Sequence, residues 1–521
     1  MRSIPKARWL AALGVTAILS SFLVPSAVSS AAAVSGPTVV ASGGTGQASY
    51  VRTVNFSTVT TSLANIHNGS HPALRIPGFS PPAGASGKVS GPTPALSLTP
   101  TLIKAQWAGN ANATSSCICQ PPDTNAAIGG NYIVEAVNLS LSTYSKTGLL
   151  SRRIGLNSFL GTSDSLSDPR ILFDNTWKRW VLTVIPIPPS GTATPAMWMA
   201  ASTSSNPNGT WYVYHIGFGG GLYPAGTLLD YPMVGMDSDS IIVSSNNFNN
   251  PSNFTYINTA AFAVAKQRIY NGRGFSFGAY QVSFSTHPAI AYGQPQAQYG
   301  RSYLVAANGG GGFDLYYMTN SSRPDSTQMI FQGSTVNGLW SSPGPGVQGS
   351  GFPNLDALDG RLQAPPYQVG NAIWFAHASG FPVIQYGWLD ANTAGTGGVA
   401  ANLAVAYQAG SSYDWNPSIA VGNSGSVFLN WALTDPTLGT PPSLRVSGLS
   451  AGNGVQNLIG VGTTVYTGSF GTNTRFGDYS SVSIDQAGTS ACAVGNNAVV
   501  INETFGSNND WNTRIGRVGF C

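Results

Sequence analysis

Charge is the first thing this 521-residue chain lacks. Asp, Glu, Lys and Arg together make up 8% of it, against about 25% in ordinary soluble domains. Glutamate is nearly absent: Glu135 and Glu503 are the two among 19 acidic residues. A formal net charge of +4, with no basic cluster after the first residues, excludes a nucleic-acid partner, which demands a positive face. Solubility must therefore rest on Ser, Thr, Asn, Gln and Gly. One reading of the low charge is adaptation to acid. A fold with few ionised carboxylates loses little when they are protonated and repels itself little through its cations. The plain alternative is a generic secreted β-protein.

Histidine is scarce as well. His67, His71, His215, His287 and His377 show no ligand spacing, which argues against zinc at the Cys117-x-Cys119 pair. No G-x-S-x-G elbow or Ser-His-Asp signature occurs. EF-hand spacing is missing too, so no cofactor is implied; structural calcium held by Asp and carbonyl groups in a central channel is the alternative. GGGGFD, 309 to 314, follows a strand pattern and precedes another, so it is a turn and not a phosphate cradle. After the first 24 residues no segment is long and apolar enough to span a bilayer.

What is present begins with an address. Arg2, Lys6 and Arg8 precede an apolar run, Trp9 to Val24, and a small-residue stretch, PSAVSSAAAVSG. That order predicts a secretory signal peptide over 1–32 and a secreted or cell-surface protein. In an oxidising compartment the four cysteines, Cys117, Cys119, Cys492 and Cys521, are disulfide candidates with three connectivities open. Cys492 with Cys521 would close a local loop; bridges from Cys117 and Cys119 to these two would join the start of the folded region to its end. Eight N-x-S/T sequons are weak evidence for glycosylation in a chain so rich in these residues.

Residues 33–115 are rich in Ala, Ser, Gly, Thr and Pro and have no helical period. They read as an extended N-terminal arm or pro-region, with a strand or two around ASYVRTVNFSTVTTSL. From 116 to 521 the texture changes. Short alternating runs split by tight turns recur in AAIGGNYIVEAV, RILFDNTWKRWVLTVI, PMVGMDSDSIIVSS, SYLVAANGGGGFDLYYM, PYQVGNAIWFAHA, SIAVGNSGSVFLNW and SVSIDQAGTSACAV. Each is a hairpin signal. The turn centres lie 45, 62, 72, 61, 53 and 64 residues apart, room for one four-stranded sheet each. AAFAVAKQRIY, 260 to 270, is the best short helix candidate and fits a strand equally. Seven such units without long helices predict an all-β fold, a β-propeller of seven blades, with six or eight as neighbouring solutions. A sandwich or β-helix is the runner-up. The cysteines then stand near the seam where first and last blades meet.

PPDTNAAIGGNYIVEAVN, SDPRILFDNTWKRWVLTV, ASTSSNPNGTWYVY, LLDYPMVGMDSDSIIVSSNNF, LDALDGRLQAPPY and RFGDYSSVSID resemble, in order, segments of a family of secreted microbial β-propeller proteins. The resemblance implies the fold and no settled activity.

The recurring polar signature is an Asp-containing turn: Asp123 in PPDTN, Asp168-Pro-Arg170, Asp230-Tyr231-Pro, Asp356, Asp359-Gly-Arg361 and Arg475-Phe-Gly-Asp478-Tyr479. In a propeller, equivalent positions meet around one axis. The six Asp residues are then candidate acid and base groups, Arg170, Arg361 and Arg475 candidate carboxylate or sugar forks, and Tyr231 and Tyr479 stacking surfaces. The bland reading is that each Asp caps its own turn. Sialidase-type Asp-boxes are absent; SIDQAGTSAC lacks the tryptophan. Trp340 and Trp511 are the aromatics most open to an exposed stacking role. The function expected first is a ligand-binding or interaction scaffold with an unknown extracellular partner, such as a glycan. The alternative is an Asp-dependent hydrolase or lyase, acting on a polysaccharide or, in acid, on a small substrate such as tetrathionate. A scaffold should scatter the Asp turns; an enzyme should gather them.

Overall fold

A computed structural model describes residues 37–60, 102–115, 119–249, 254–291, 300–349, 352–392, 398–422, 425–449, 456–460, 475–488, 492, 494–505 and 510–521. The expected signal peptide and Cys117 lie outside them. Strand alternation dominates, and the α-helices among these residues are two short turns, Leu156–Leu160 and Lys266–Ile269. The second ends the strand Tyr256–Ala265, so both halves of the 260–270 ambiguity are realised.

The strands form seven antiparallel blades. Blade one is Asn125–Gly129, Tyr132–Val137, Ser140–Ser145 and Leu150–Gly155. Blade two starts at Leu166–Asp174 and ends at Thr210–Gly219; blade three starts at Thr227–Met236 and ends at Phe275–Val282. Blade four runs from His287–Pro288 through Ser302–Ala307 to Gln328–Ser334, and blade five from Tyr367–Val369 to Ala400–Ala406. Blade six starts at Tyr413–Val421, and blade seven joins Ser481–Asp485, Asn497–Phe505 and Trp511–Gly519 to Leu102–Ala111 from upstream. Each first strand touches the first strand of the next blade except between blades four and five, where the two-residue strand Ile290–Ala291 makes the link by pairing in parallel with Tyr367–Val369; that of blade seven touches that of blade one. The circle is closed: this is a seven-bladed β-propeller.

Six of the seven expected hairpins are the two innermost strands of a blade. In blade four the hairpin forms the second and third strands, because the two-residue strand His287–Pro288 takes the axis. In blade seven the partner strand begins at Asn497, beyond SACAV.

The closing strand, Leu102–Ala111, comes from the segment read as the arm, so the ring begins upstream of the cysteines. Two further arm strands lie along outer edges. Thr38–Val40 pairs with Gln328–Ser334, and Ser42–Asn55 is sandwiched between the outer strands of blades two and three. An edge strand left bare is a template for aggregation; the arm covers three of them and buries Val54 and Phe56.

The expectation that cysteines tie the seam is corrected. Cys492 pairs with Cys521, 29 residues apart and both within the last blade, while Cys119 is disulfide-bonded and Cys117 lies outside the described residues. The seam is held by hydrogen bonds instead. The Ser481 hydroxyl donates to the Ala126 carbonyl at 2.9 Å and accepts from the Ala126 N–H at 2.8 Å. The buried Glu135 carboxylate of blade one accepts from the Asn110 N–H at 3.0 Å and from the Thr513 hydroxyl, both in blade seven. Within its own blade it accepts from the Tyr144 hydroxyl at 2.7 Å.

Candidate functional site

In the inner strands of blades two, three and six, or in the segment leading into those of blades one, four and five, one residue sits in left-handed backbone: Asp123 (φ 53°), Asp168 (53°), Tyr231 (53°), Ser285 (50°), Leu358 (59°) and Asn416 (52°). For branched or bulky side chains this region is strained by roughly 1–3 kcal/mol each. In blades two, three and six the register of the ladder shifts at the same point, between Ser167 and Arg170, Asp230 and Met233, and Trp415 and Ser418. A bulge bends the strand and re-aims its side chains. Repetition around the ring gathers those side chains at one end of the axis.

All eleven predicted site residues belong to this gathering. The Tyr479 hydroxyl donates to Asp168 Oδ2 at 2.5 Å, across 311 residues of sequence, and the Ser167 hydroxyl donates to Oδ1 at 2.6 Å. The Arg170 guanidinium lies 4.2 Å from the Tyr479 ring centre, and the Tyr479 and Tyr231 rings are 4.6 Å apart at 31°. The Tyr231 hydroxyl donates toward the carbonyls of Leu362 and Asp478 at 3.1 and 3.0 Å. Arg361 covers the other face of this layer, 4.8 Å from the Tyr231 ring, and forks Asp359 at 2.8 and 2.6 Å. Arg475 bridges Asp356 at 3.2 Å and Asp478. Asn138 donates to Asp123 Oδ2 at 2.6 Å and accepts from the Asp168 N–H at 2.9 Å, binding blades one and two.

Exposure sorts these groups. Tyr231 and Tyr479, expected as stacking surfaces for a ligand, are fully buried against each other, and Arg170, Arg361 and Arg475 are each 2% exposed. They form the floor. Asp123, Asp168 and Asp359 are buried with them. The carboxyls that reach solvent are Asp230, Asp356 and Asp478; the Asp356 side chain is 23% exposed and that of Asp478 15%. Among the described residues the Asp230 side chain takes part in no hydrogen bond, in contrast to its neighbours; Arg361 and Arg475 act on it through charge. Trp340 and Trp511, the candidate platforms, are core residues whose indoles donate to the Gly312 and Cys119 carbonyls.

Crowding shapes the electrostatics. Burial first, and then the Asp168 charge, push the Asp123 and Asp230 carboxyls well above the usual carboxylate range. Burial also raises Asp478, against the pull of Arg475. Sequence reasoning missed two members. Glu503 accepts from the Gly477 N–H at 2.6 Å and is raised strongly by burial. His287, packed edge-on to Tyr231 with ring centres 6.2 Å apart, is pushed well below its usual value by burial and by the Arg170 charge. A signal existed for the histidine: His287-Pro288 repeats the X-Pro entry of Asp168-Pro169, Tyr231-Pro232 and Asn416-Pro417. His377, by contrast, is a blade residue bonded to Gly360 and Gln385. Among the described residues no cluster of three His, Cys, Asp or Glu side chains is arranged to hold a metal ion.

No protein-family model and no curated protein matches the chain. Among solved structures it is similar to a Penicillium chrysogenum α-L-arabinanase complexed with arabinobiose (11% identity, 81% of this chain and 98% of that one, TM-score 0.36). It is likewise similar to a Trypanosoma rangeli sialidase in complex with sialic acid (10%, 73% and 57%, TM-score 0.36) and a Phanerochaete chrysosporium exo-β-1,3-galactanase with galactose (11%, 81% and 99%, TM-score 0.27). Scores this low assign nothing. The ring stands on its own strand order, and the chain is an all-β, seven-bladed propeller with a carboxyl-rich cluster at one end of its axis.

Proposed function

We propose that the chain is an exported hydrolase whose active site is this cluster, and that its substrate is a neutral, hydroxyl-rich glycan. The observation that carries the reading is the convergence itself. Six Asp turns spread over more than 350 residues of sequence meet around three arginines, and three of their carboxyls face solvent. Asp356 and Asp359 also cap their own turns, accepting from the Leu358 and Arg361 N–H groups at 2.9 and 3.3 Å; the shared arginines and the carboxyls open to solvent go beyond what capping requires. Asp230, whose side chain is held by no hydrogen bond and whose carboxyl is raised by burial, is the proton donor to the leaving oxygen. Asp356, oriented by Arg475, takes the proton from the attacking water, whose oxygen bonds to the anomeric carbon as the glycosidic C–O bond breaks. The buried tyrosines and Arg170 hold these groups in place. Each guanidinium is already engaged by a carboxylate or a ring, which favours hydroxyls over an anionic ligand.

Export fits the Cys492–Cys521 bridge, since disulfides persist in oxidising compartments, and no helix among the described residues is long and apolar enough to cross a membrane.

The test is turnover by the purified protein on neutral and acidic polysaccharides and on sulfur compounds such as tetrathionate, between about pH 2 and 7. Neutral glycans should be cleaved. Asp230→Asn and Asp356→Asn should each lower kcat by roughly 10²–10⁴ with the fold intact by circular dichroism. Binding of a polymer without any turnover would return the chain to the scaffold reading.

A further inference from the structure

The site contains more acid than it can neutralise. Blade one contributes Asp123; blade two, Asp168 and Arg170; blade three, Asp230 beside Tyr231; blade four, His287. Blade five adds Asp356, Asp359 and Arg361, and blade seven Arg475, Asp478, Tyr479 and Glu503, with Asp510 near the last. Blade six presents the uncharged Asn416, which donates to the Tyr479 carbonyl at 3.3 Å. Seven carboxyls at the centre thus face three guanidiniums. Asp359 occupies Arg361, and Asp356 with Asp478 occupies Arg475. Arg170 lies over the Tyr479 ring, and its Nη1 has no hydrogen-bond partner. No ion pair remains for Asp123, Asp230 or Glu503. Oδ1 of Asp123, Oδ1 of Asp478 and Oε1 of Glu503 are buried without a partner; Asn138, Arg475 and the Gly477 N–H serve only the other oxygen of each, so the loss of water from the ionised forms is offset in part.

We propose that protons are the missing counter-charges, and that the site is a pH switch: assembled in acid, driven apart by its own carboxylates as the medium approaches neutrality. The direction follows from linkage. Asp123, Asp230, Asp478 and Glu503 are all raised in the folded chain. The folded state therefore holds protons that the unfolded chain releases above about pH 4. Their stabilisation is complete below that pH and is lost as pH rises through the folded values. The left-handed turns at Asp123, Asp168 and Tyr231 are the strained elements that self-repulsion would release first. For its effect on activity the switch rests on the proposed hydrolase; the assembly itself does not.

Thermal melting of the full chain between pH 3 and 7.5 tests it. The midpoint should fall by roughly 5–10 °C from pH 4 to pH 7. The double variant Asp123→Asn/Asp230→Asn, in which two groups cannot ionise, should lose at least half of that fall. Asp325→Asn, at an exposed turn, should keep it. A midpoint that is flat or rises toward pH 7, or a double variant with the wild-type profile, overturns the proposal. If the double variant does not fold, titration of the native against the urea-unfolded wild-type chain decides. The native protein should hold at least one more proton at pH 5, and equal or fewer would overturn it. An acid-stable melting profile with no turnover on any substrate would sink the hydrolase and leave the switch standing.

Discussion

Replacing Arg475 with methionine should destabilise the propeller by about 3–5 kcal/mol at pH 7, the penalty for leaving buried charges without their partner. The guanidinium is 2% exposed and bridges Asp356 and Asp478, while the Arg475 carbonyl accepts from the Gln120 amide at 2.7 Å, tying the entry of blade one to blade seven. Methionine fills much of the volume and supplies none of the charge. The loss should shrink in acid, because Asp478, already raised by burial, takes up a proton there and no longer needs the cation. Urea denaturation at pH 4 and at pH 7 measures both numbers. Equal losses at the two pH values would show that Arg475 acts through packing alone.

Glu135→Ala should open the ring at its seam, at a loss of about 3–5 kcal/mol. The substitution removes the acceptor for the Asn110 N–H and for the Thr513 and Tyr144 hydroxyls, leaving buried donors unpaired between the first and last blades. Glutamine keeps one oxygen and should lose less, about 1–2 kcal/mol. Hydrogen exchange locates the damage: amides of Leu102–Ala111 and Trp511–Gly519 should lose protection before those of blades three and four. Uniform loss around the ring would argue against a discrete seam.

These two residues also show what could and could not be read from the sequence. Arg475 was legible, because RFGDYSS repeats the Asp-turn signature of the other blades and a ring brings such signatures together. The seven hairpins were legible for the same reason: period-two alternation and turn dipeptides are local features. Glu135 was not. Its sequence, YIVEAV, reads as an ordinary strand, and its role depends on strands that lie more than 370 residues away or in the arm. The second half of the arm strand Ser42–Asn55, ASYVRTVN, was legible, while its glycine-rich first half, SGGTGQ, has little strand propensity of its own. It forms because blades two and three offer it an edge on each side. The same limit applies to Tyr231, Tyr479, Trp340 and Trp511, where aromatic character was visible and the degree of burial was not. The cysteine pattern left three pairings open, and strand geometry chose the local one for Cys492 and Cys521.

The most direct test of the converging site is a double-mutant cycle between Asp168 and Tyr479, joined by one hydrogen bond of 2.5 Å across 311 residues. Asp168→Asn and Tyr479→Phe, singly and together, should give a coupling of about 1–3 kcal/mol in unfolding free energy at pH 5. Losses that add to within about 0.5 kcal/mol would mean that the two blades do not meet there, and the shared site would go with them.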